Sequence, residues 1–438
     1  MAKFIIQGGK PLHGAIRIGG AKNASFKLMI AATLAETESR LLNLSNIGDV
    51  VETQKALQGL GFIVKNCGER TMLINQGKQK PGKVCDAVGE KTRASTLIAA
   101  VLLANTGFAQ IPVPGGCKLG SRPIDRHLDA LAALGVKIED NGTTIHLSCQ
   151  QLHGTNYHFD KKTHTGTEAL LLAACKAKGK TVISNAAAEP EVDDLISFLQ
   201  KMGAKIKRIS DDVIEIEGVQ KMSGAVHKVM PDRNEAVSYA VAAIATKGDV
   251  VVENAQAQHM QAFLAKLEEA EANFETDDYG IRFWYEKPLK AVAMQTAPAP
   301  GFMTDWQPLW TLLMTQAVGQ SQVIETVFSN RFQYVPLLNK MGAKIELFDP
   351  EFINPQEAYE FDFPNPENRF HGITIDGPTD FSCQNLNIPD LRAGATLTIA
   401  GLMANGKSEL SNIEHIERGY EAIDERLRQL GATIEKVA

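Results

Sequence analysis

The sequence has few cysteines, and no two of them are spaced to act together. Its six, Cys67, Cys85, Cys117, Cys149, Cys175 and Cys383, lie far apart, with no CxxC pair and no HExxH. That argues against a zinc site and a disulfide framework, so neither metal nor cofactor is expected. Long hydrophobic runs are lacking as well. The longest, TLIAAVLLA and ALLLAA, fall far short of the ~20 apolar residues a membrane span needs. The segment MAKFIIQGGK lacks the apolar core of a signal peptide, so a cytoplasmic chain without a membrane partner is expected. Nor is positive charge in excess: 45 basic residues stand against 51 acidic ones, a formal charge of −6. Without a polybasic field nucleic acid is not an expected partner, and any anionic ligand must be held by local cations.

What the 438 residues do contain is one structural unit written six times. Its clearest mark is a helix end of the form Leu-x-x-[apolar or Ala]-Gly-[small or apolar]-x-[Ile/Val] that runs into a strand. It occurs at Leu57 (LQGLGFIV), Leu131 (LAALGVKI), Leu199 (LQKMGAKI), Leu338 (LNKMGAKI) and Leu427 (LRQLGATI), and in degenerate form at Leu267 (LEEAEANF), where Glu271 replaces the glycine. A recurrence of about 70 residues is too long for a solenoid repeat and suits a small packed module. In one copy, Met230-Pro231-Asp232-Arg233 leads into an apolar helical stretch (AVSYAVAAIATKG) and a β-branched strand (DVVVENA). A second helix (HMQAFLAKLEEA) and two or three strands (ANFETD, IRFWYEK, KAVAMQTA) follow. The module reads as βαβαββ.

Residues 4–23 align without a gap on residues 214–233, with Gly8 on Gly218, Gly14 on Gly224, Ala15 on Ala225 and Lys22 on Asp232. The first residues are therefore expected to complete a module whose body lies at the other end of the chain. The expected fold is α/β, with two domains of three modules each: one covers 22–231, and the other is discontinuous, from 1–21 and 232–438. Two strands crossing between them would make a double hinge.

The six first helices start at Lys22-Asn23, Thr92-Arg93, Thr165-Gly166, Asp232-Arg233, Thr304-Asp305 and Asp390-Leu391-Arg392. Asp, Asn and Thr there are ordinary caps. Lys22, Arg93 and Arg392 are cations at the positive end of a helix dipole, and they call for an anion. Pro114-Gly115-Gly116-Cys117-Lys118-Leu119-Gly120-Ser121-Arg122-Pro123 sets a cysteine among glycines and cations, the setting that favours a thiolate. Cys175, inside LLLAACKAKG, reads as an inert apolar residue.

The strings GGAKNAS, TRAS, PGGCKLGSRPIDRHLDAL, AEPEVDDLISFL, PDRNEA, TDWQ, ETVFSNRF, DLRAGA and RGYEAIDERLRQLGA, in this order and spacing, resemble the enolpyruvyl transferase family. They are most similar to its branch acting on UDP-N-acetylglucosamine in peptidoglycan synthesis. The resemblance runs from the first strand to the last, and the cysteine loop and the RGYE segment are its most specific parts. It implies an inside-out α/β barrel and transfer of the enolpyruvyl group of phosphoenolpyruvate to the 3-hydroxyl of the sugar, with release of phosphate. It also implies sensitivity of Cys117 to the epoxide fosfomycin, and a monomer or weak homo-oligomer is expected.

The resemblance further implies roles. Lys22, Arg122 and Arg418 would clamp phosphoenolpyruvate, with Asn23, Arg392 and Arg93 beside them and Arg93 alternatively on the nucleotide. Cys117 would deliver a proton or assist product release. Asp305 would be the general base for the sugar hydroxyl; an ordinary aspartate, with a pKa of ~3.9, is weak for that task, so an upward shift on closure is expected. Asn23, Val327 and Phe328 would contact the sugar. Arg122, Pro123, Ile124, Asp125, Arg126 and His127, with Lys162, His164, Thr165 and Gly166, would line the uridine and diphosphate pocket. Glu189, Glu191, Asp232 and Asp390 would position Lys22 and the loops.

The chain departs from the family pattern at Trp306 and Trp310 around Asp305, at Arg126, and at Thr163-His164-Thr165-Gly166-Thr167-Glu168, where a small apolar and serine segment is usual. FDPEFINPQEAYEFDFPNPENRF lengthens the fifth module and is expected to be a surface excursion and a candidate oligomer contact. Gly401 to Ser408 matches GxxxxGK[ST], but a helix is expected before it and a strand after it, the reverse of a P-loop. The alternatives are the shikimate-pathway sister enzyme, which has a Ser-Lys-Ser type start where this chain has GGAKN, and an inactive paralogue that binds UDP-sugar as a regulator.

Overall fold

The computed structural model describes residues 2–77, 94–112, 124–363 and 370–437. Arg93, Cys117, Arg122 and Pro123 lie outside the described residues. The described residues form two units, one from 2–19, 231–363 and 370–437, the other from 20–77, 94–112 and 124–230.

In the first unit, strand Lys3–Gln7 runs antiparallel to both Lys407–Ser411 and Thr433–Val437. Strand His13–Arg17 pairs parallel with Asp249–Glu253, which also carries Gly280–Trp284 and, beyond it, Asn273–Thr276. A third sheet is built on Ala317–Ile324, with Gly372–Gly377 and Lys344–Phe348 on one side. Leu289–Lys290 and Ala293–Gln295 pair on its other side. The KAVAMQTA stretch thus leaves the preceding sheet and joins the next.

The second unit also has three sheets among its described residues. Ser39–Leu42 pairs with Met72–Asn75 and, in parallel, with Val226–Lys228. Phe108–Pro112 and Lys137–Asp140 flank Thr144–Ser148. Lys180–Ser184 pairs with Asn156–His158 and Val213–Glu217.

Each unit buries its own apolar core. Helices Ala94–Thr106, Arg233–Ala245 and Leu391–Met403 are mostly apolar or small around their circumference, and such helices belong in a core. All of Arg233–Ala245 is buried, and Leu391–Met403 is buried from Arg392 to Leu402. The sheets bury one face by strict alternation: Val213–Glu217 hides Ile214 and Ile216 and exposes the rest more, as a period of two requires. The second helices are amphipathic, as in Pro190–Lys201, which buries Val192, Leu195, Ile196, Phe198 and Leu199.

The turn that follows each second helix needs one left-handed residue to redirect the chain into a strand. Gly61, Gly135, Gly203, Gly342 and Gly431 supply it with φ from 93° to 112°. In the copy that lacks glycine, Glu271 takes the same region at φ 55°. The GxxxxGK[ST] string is no phosphate loop: Gly401 lies within helix Leu391–Met403, and Gly406 turns the chain into strand Lys407–Ser411.

Candidate functional site

In the unit built on residues 20–230, helix Lys22–Ala32 begins with Lys22 and has no acidic residue in its first turn. Lys22 Nζ pairs instead with Asp49 Oδ2 at 2.8 Å, from helix Gly48–Gly59. Asp49 was not singled out from the sequence; its only signal is an acid in the first turn of a neighbouring helix. Asn23 follows, half-buried. Glu189 stands at the start of helix Pro190–Lys201 without capping it, and Glu191, in its first turn, is buried.

Helix His164–Ala174 starts slightly earlier than Thr165-Gly166, because Thr163 is its cap: the Thr163 hydroxyl accepts from Gly166 N at 3.2 Å. A Cβ at Gly166 would come within 2.4 Å of Thr163 Cγ2, so glycine is what lets this cap close. Thr165 Oγ1 lies 2.8 Å from His127 Nε2, which joins the segment to helix Asp125–Ala133. Ile124 is buried ahead of that helix, and Asp125 is exposed. Arg126, expected in the uridine pocket, pairs its Nε with the exposed Asp160 at 3.0 Å. Lys162 is half-buried.

His164 meets two buried charges. Its Nε2 lies 2.9 Å from Lys27 Nζ and 3.2 Å from Glu168 Oε1, and Lys27 donates to the same Oε1 at 2.7 Å. Burial and the Lys27 charge disfavour the imidazolium, but Glu168 and Glu189 together hold the His164 pKa above its ordinary value. Burial likewise pushes Glu168 up, and His164 and Lys27 bring it below the usual carboxylate range.

In the unit carrying both ends of the chain, Asp305 is the hub. It stands just ahead of helix Gln307–Met314 rather than at its first residue, and its side chain is 23% exposed. Arg392 Nε approaches Asp305 Oδ1 at 3.2 Å and Arg331 Nη2 approaches the same oxygen at 3.3 Å. Two guanidiniums thus meet on one oxygen of this carboxylate. Burial opposes the Arg392 charge, yet Asp305 and Tyr420 hold its pKa above the ordinary value.

Arg392 Nη1 donates to Tyr420 Oη at 3.2 Å, and that hydroxyl lies 2.7 Å from Ser238 Oγ. Arg418, two residues before Tyr420, is exposed at the end of helix Glu414–Glu417. Asp390 and Asp232 cap their own helices: Asp390 Oδ1 accepts from Arg392 N and Ala393 N, and Asp232 Oδ1 from Asn234 N and Glu235 N.

Arg331 escaped the sequence reading, although it sits in the ETVFSNRF string. It also donates to Thr304 O at 3.2 Å. Nearby Glu325, fully buried, accepts from Thr304 Oγ1 and from the backbone of Val327 and Phe328 at 3.0, 2.8 and 2.9 Å. Burial raises the Glu325 pKa, against the pull of Arg331. Glu325 therefore shapes the half-buried turn that presents Val327 and Phe328. Glu360 N donates to Thr326 O at 2.8 Å, so the inserted segment is tied down beside that turn. Its Tyr359 is fully buried against Phe352, Phe361, Phe363 and His371.

The departures at Trp306 and Trp310 are core residues, 1% and 0% exposed, packed against Phe263 and Phe302. Trp306 Nε1 donates to Asn234 Oδ1 at 2.9 Å. Among the described residues no group of three His, Cys, Asp or Glu is placed to hold a metal ion, and no helix is long and apolar enough to cross a membrane.

One unit thus holds a partly exposed carboxylate against two guanidiniums, and the other a lysine paired with an aspartate at a helix start. Residues 6–427 match the family described as EPSP synthase (3-phosphoshikimate 1-carboxyvinyltransferase). The chain is 40% identical over 437 residues, 100% of both chains, to the UDP-N-acetylglucosamine 1-carboxyvinyltransferase of Halothermothrix orenii. It is 39% identical to the protein of that name from Koribacter versatilis, over 100% of this chain and 97% of the other. Among solved structures it is similar to the enolpyruvyl transferase NikO from Streptomyces tendae, with TM-score 0.86, 21% identity and coverage of 100% and 99%. EPSP synthase from Acinetobacter baumannii follows with TM-score 0.77, 19% identity and full coverage of both chains. The chain belongs to the EPSP synthase family of enolpyruvyl transferases and, within it, to the family of the UDP-N-acetylglucosamine 1-carboxyvinyltransferases.

Proposed function

We propose that the chain transfers the enolpyruvyl group of phosphoenolpyruvate to the 3-hydroxyl of UDP-N-acetylglucosamine, releasing inorganic phosphate, in the cytoplasmic synthesis of peptidoglycan precursor. The observation that carries the reading is Asp305 held by Arg331 and Arg392, in a chain matched along its whole length by relatives of that name.

In net terms the sugar oxygen bonds to C2 of phosphoenolpyruvate, and the bond from C2 to the phosphate oxygen breaks with its electrons leaving on phosphate. Asp305 takes the hydroxyl proton. Lys22, Arg122 and Arg418, with Asn23 and Arg392 beside them, hold the phosphate and carboxylate of phosphoenolpyruvate, and Arg93 stands near them or on the nucleotide. Val327 and Phe328 contact the sugar, on the turn that Glu325 shapes. Ile124 to His127 and Lys162 to Gly166 serve the nucleotide end. In this reading each unit is an inside-out α/β barrel of three modules, in domains 22–231 and 1–21 with 232–438.

The test of the base is Asp305→Asn, which keeps the volume and removes the acceptor charge. Turnover should fall by about 10²–10⁴, with little change in nucleotide-sugar affinity by calorimetry. Near-normal turnover would remove Asp305 from the mechanism.

A further inference from the structure

Lys27 and Glu168 have no place in the roles above. They are 2% and 0% exposed, and they join two helices that are otherwise mostly apolar. A buried ion pair contributes little net stability, and apolar replacements of similar volume are commonly neutral or better. Stability therefore does not account for this pair, whereas its geometry around His164 does. At 2.9 Å from the Lys27 ammonium and 3.2 Å from Glu168 Oε1, one Nε2 cannot both accept from the lysine and donate to the carboxylate.

Lysine is a donor only, so the shorter contact makes Nε2 the acceptor and puts the ring hydrogen on Nδ1. If the ring is instead the imidazolium, Nδ1 carries a hydrogen in that form too. In either case a donor is left on Nδ1, which makes no hydrogen bond within the described residues. The ring is 21% exposed at the first residue of helix His164–Ala174. Glu168 Oε2 is buried with no hydrogen-bond partner among the described residues, where Lys27 and His164 are what hold this carboxylate. Glu189 is the other carboxylate whose field reaches the ring.

We propose that Lys27 and Glu168 are positioning residues that hold His164 as an Nδ1–H donor to a phosphate oxygen of the nucleotide sugar. This rests on the reading of the chain as a UDP-N-acetylglucosamine transferase, and adds to it a device that sets how the diphosphate is gripped. The lysine fixes the ring's tautomer, and the carboxylate fixes the lysine.

The test uses the full chain. In ¹⁵N-histidine NMR, His164 should carry its hydrogen on Nδ1, and a neutral ring with the hydrogen on Nε2 would overturn the proposal. Lys27→Met/Glu168→Met removes both charges together. It should raise KM for UDP-N-acetylglucosamine by about 10- to 100-fold, the loss of one hydrogen bond to a charged group, with a smaller change in kcat and none in KM for phosphoenolpyruvate. His164→Asn places an amide N–H near the Nδ1 position without needing Lys27, so adding it to the double variant should recover most of the lost affinity. An unchanged KM in the double variant, or no recovery by asparagine, would sink the idea.

Should the double variant fail to fold, the single variants decide: His164→Asn should keep affinity and His164→Gln should lose it, and the reverse order overturns the proposal. If the wild-type chain does not turn over UDP-N-acetylglucosamine, the functional reading fails. The NMR readout and calorimetric binding of UDP then still decide the role of Lys27 and Glu168.

Discussion

Replacing Arg331 with methionine isolates the physics of the Asp305 hub. Arg331 is 2% exposed, and its guanidinium reaches Asp305 Oδ1 at 3.3 Å and Thr304 O at 3.2 Å. At that separation and an effective dielectric of about 20, the attraction to Asp305 is about 5 kcal/mol. Breaking a buried pair by removing one partner typically costs about 3–5 kcal/mol. Asp305 keeps Arg392 at 3.2 Å and is 23% exposed, which lowers the expected loss to about 2–3 kcal/mol. Glu325 adds to it, since Arg331 is the cation opposing its burial. Urea unfolding should show this loss. Arg331→Lys, which retains the charge and loses the planar fork, should fall between the two. Wild-type urea stability in Arg331→Met would refute the reasoning.

Cys175 is fully buried, and burial pushes its thiol up to about 12. The folded chain then binds a proton that the unfolded chain releases above the ordinary thiol pKa. The contribution of Cys175 is complete below about pH 9 and is lost as pH rises toward about 12, by about 1.4 kcal/mol per unit. Urea midpoints at about pH 8 and about pH 10 should diverge less in Cys175→Ala than in the wild type, and equal slopes would contradict this. Cys117 lies outside the described residues, and from its sequence setting it should alkylate faster than the other cysteines. Cys117→Asp should stay active and resist fosfomycin, and a peptide map with label on Cys67 and Cys383 but not Cys117 would count against that setting.

Much of the fold was legible because its signals are local. The stretch after Asp232 reads as helix, strand, helix and paired strands, and these occur at Arg233–Ala245, Asp249–Glu253, Gln261–Glu269, Asn273–Thr276 and Gly280–Trp284. The match of 4–23 to 214–233 led to the expectation that the first residues join the carboxyl end, and Lys3–Gln7 does pair with Lys407–Ser411 and Thr433–Val437, whereas His13–Arg17 pairs with Asp249–Glu253. Charges that act across the chain were illegible. Asp49 on Lys22, Arg331 on Asp305 and Glu168 on Lys27 are pairings from distant segments, and no spacing rule reaches them. Trp306 looked like a change to the site because it follows Asp305, yet the helix start turns its ring into the core. The pairing of Arg126 with Asp160, 34 residues further along the chain, was likewise beyond the sequence.

The central claim is the identity of the acceptor. Phosphate release from phosphoenolpyruvate should be measured with UDP-N-acetylglucosamine and, in parallel, with shikimate 3-phosphate. The account predicts stoichiometric phosphate with the nucleotide sugar, a product heavier by one enolpyruvyl group, and none with shikimate 3-phosphate. Release with shikimate 3-phosphate alone, or with neither acceptor, would contradict it.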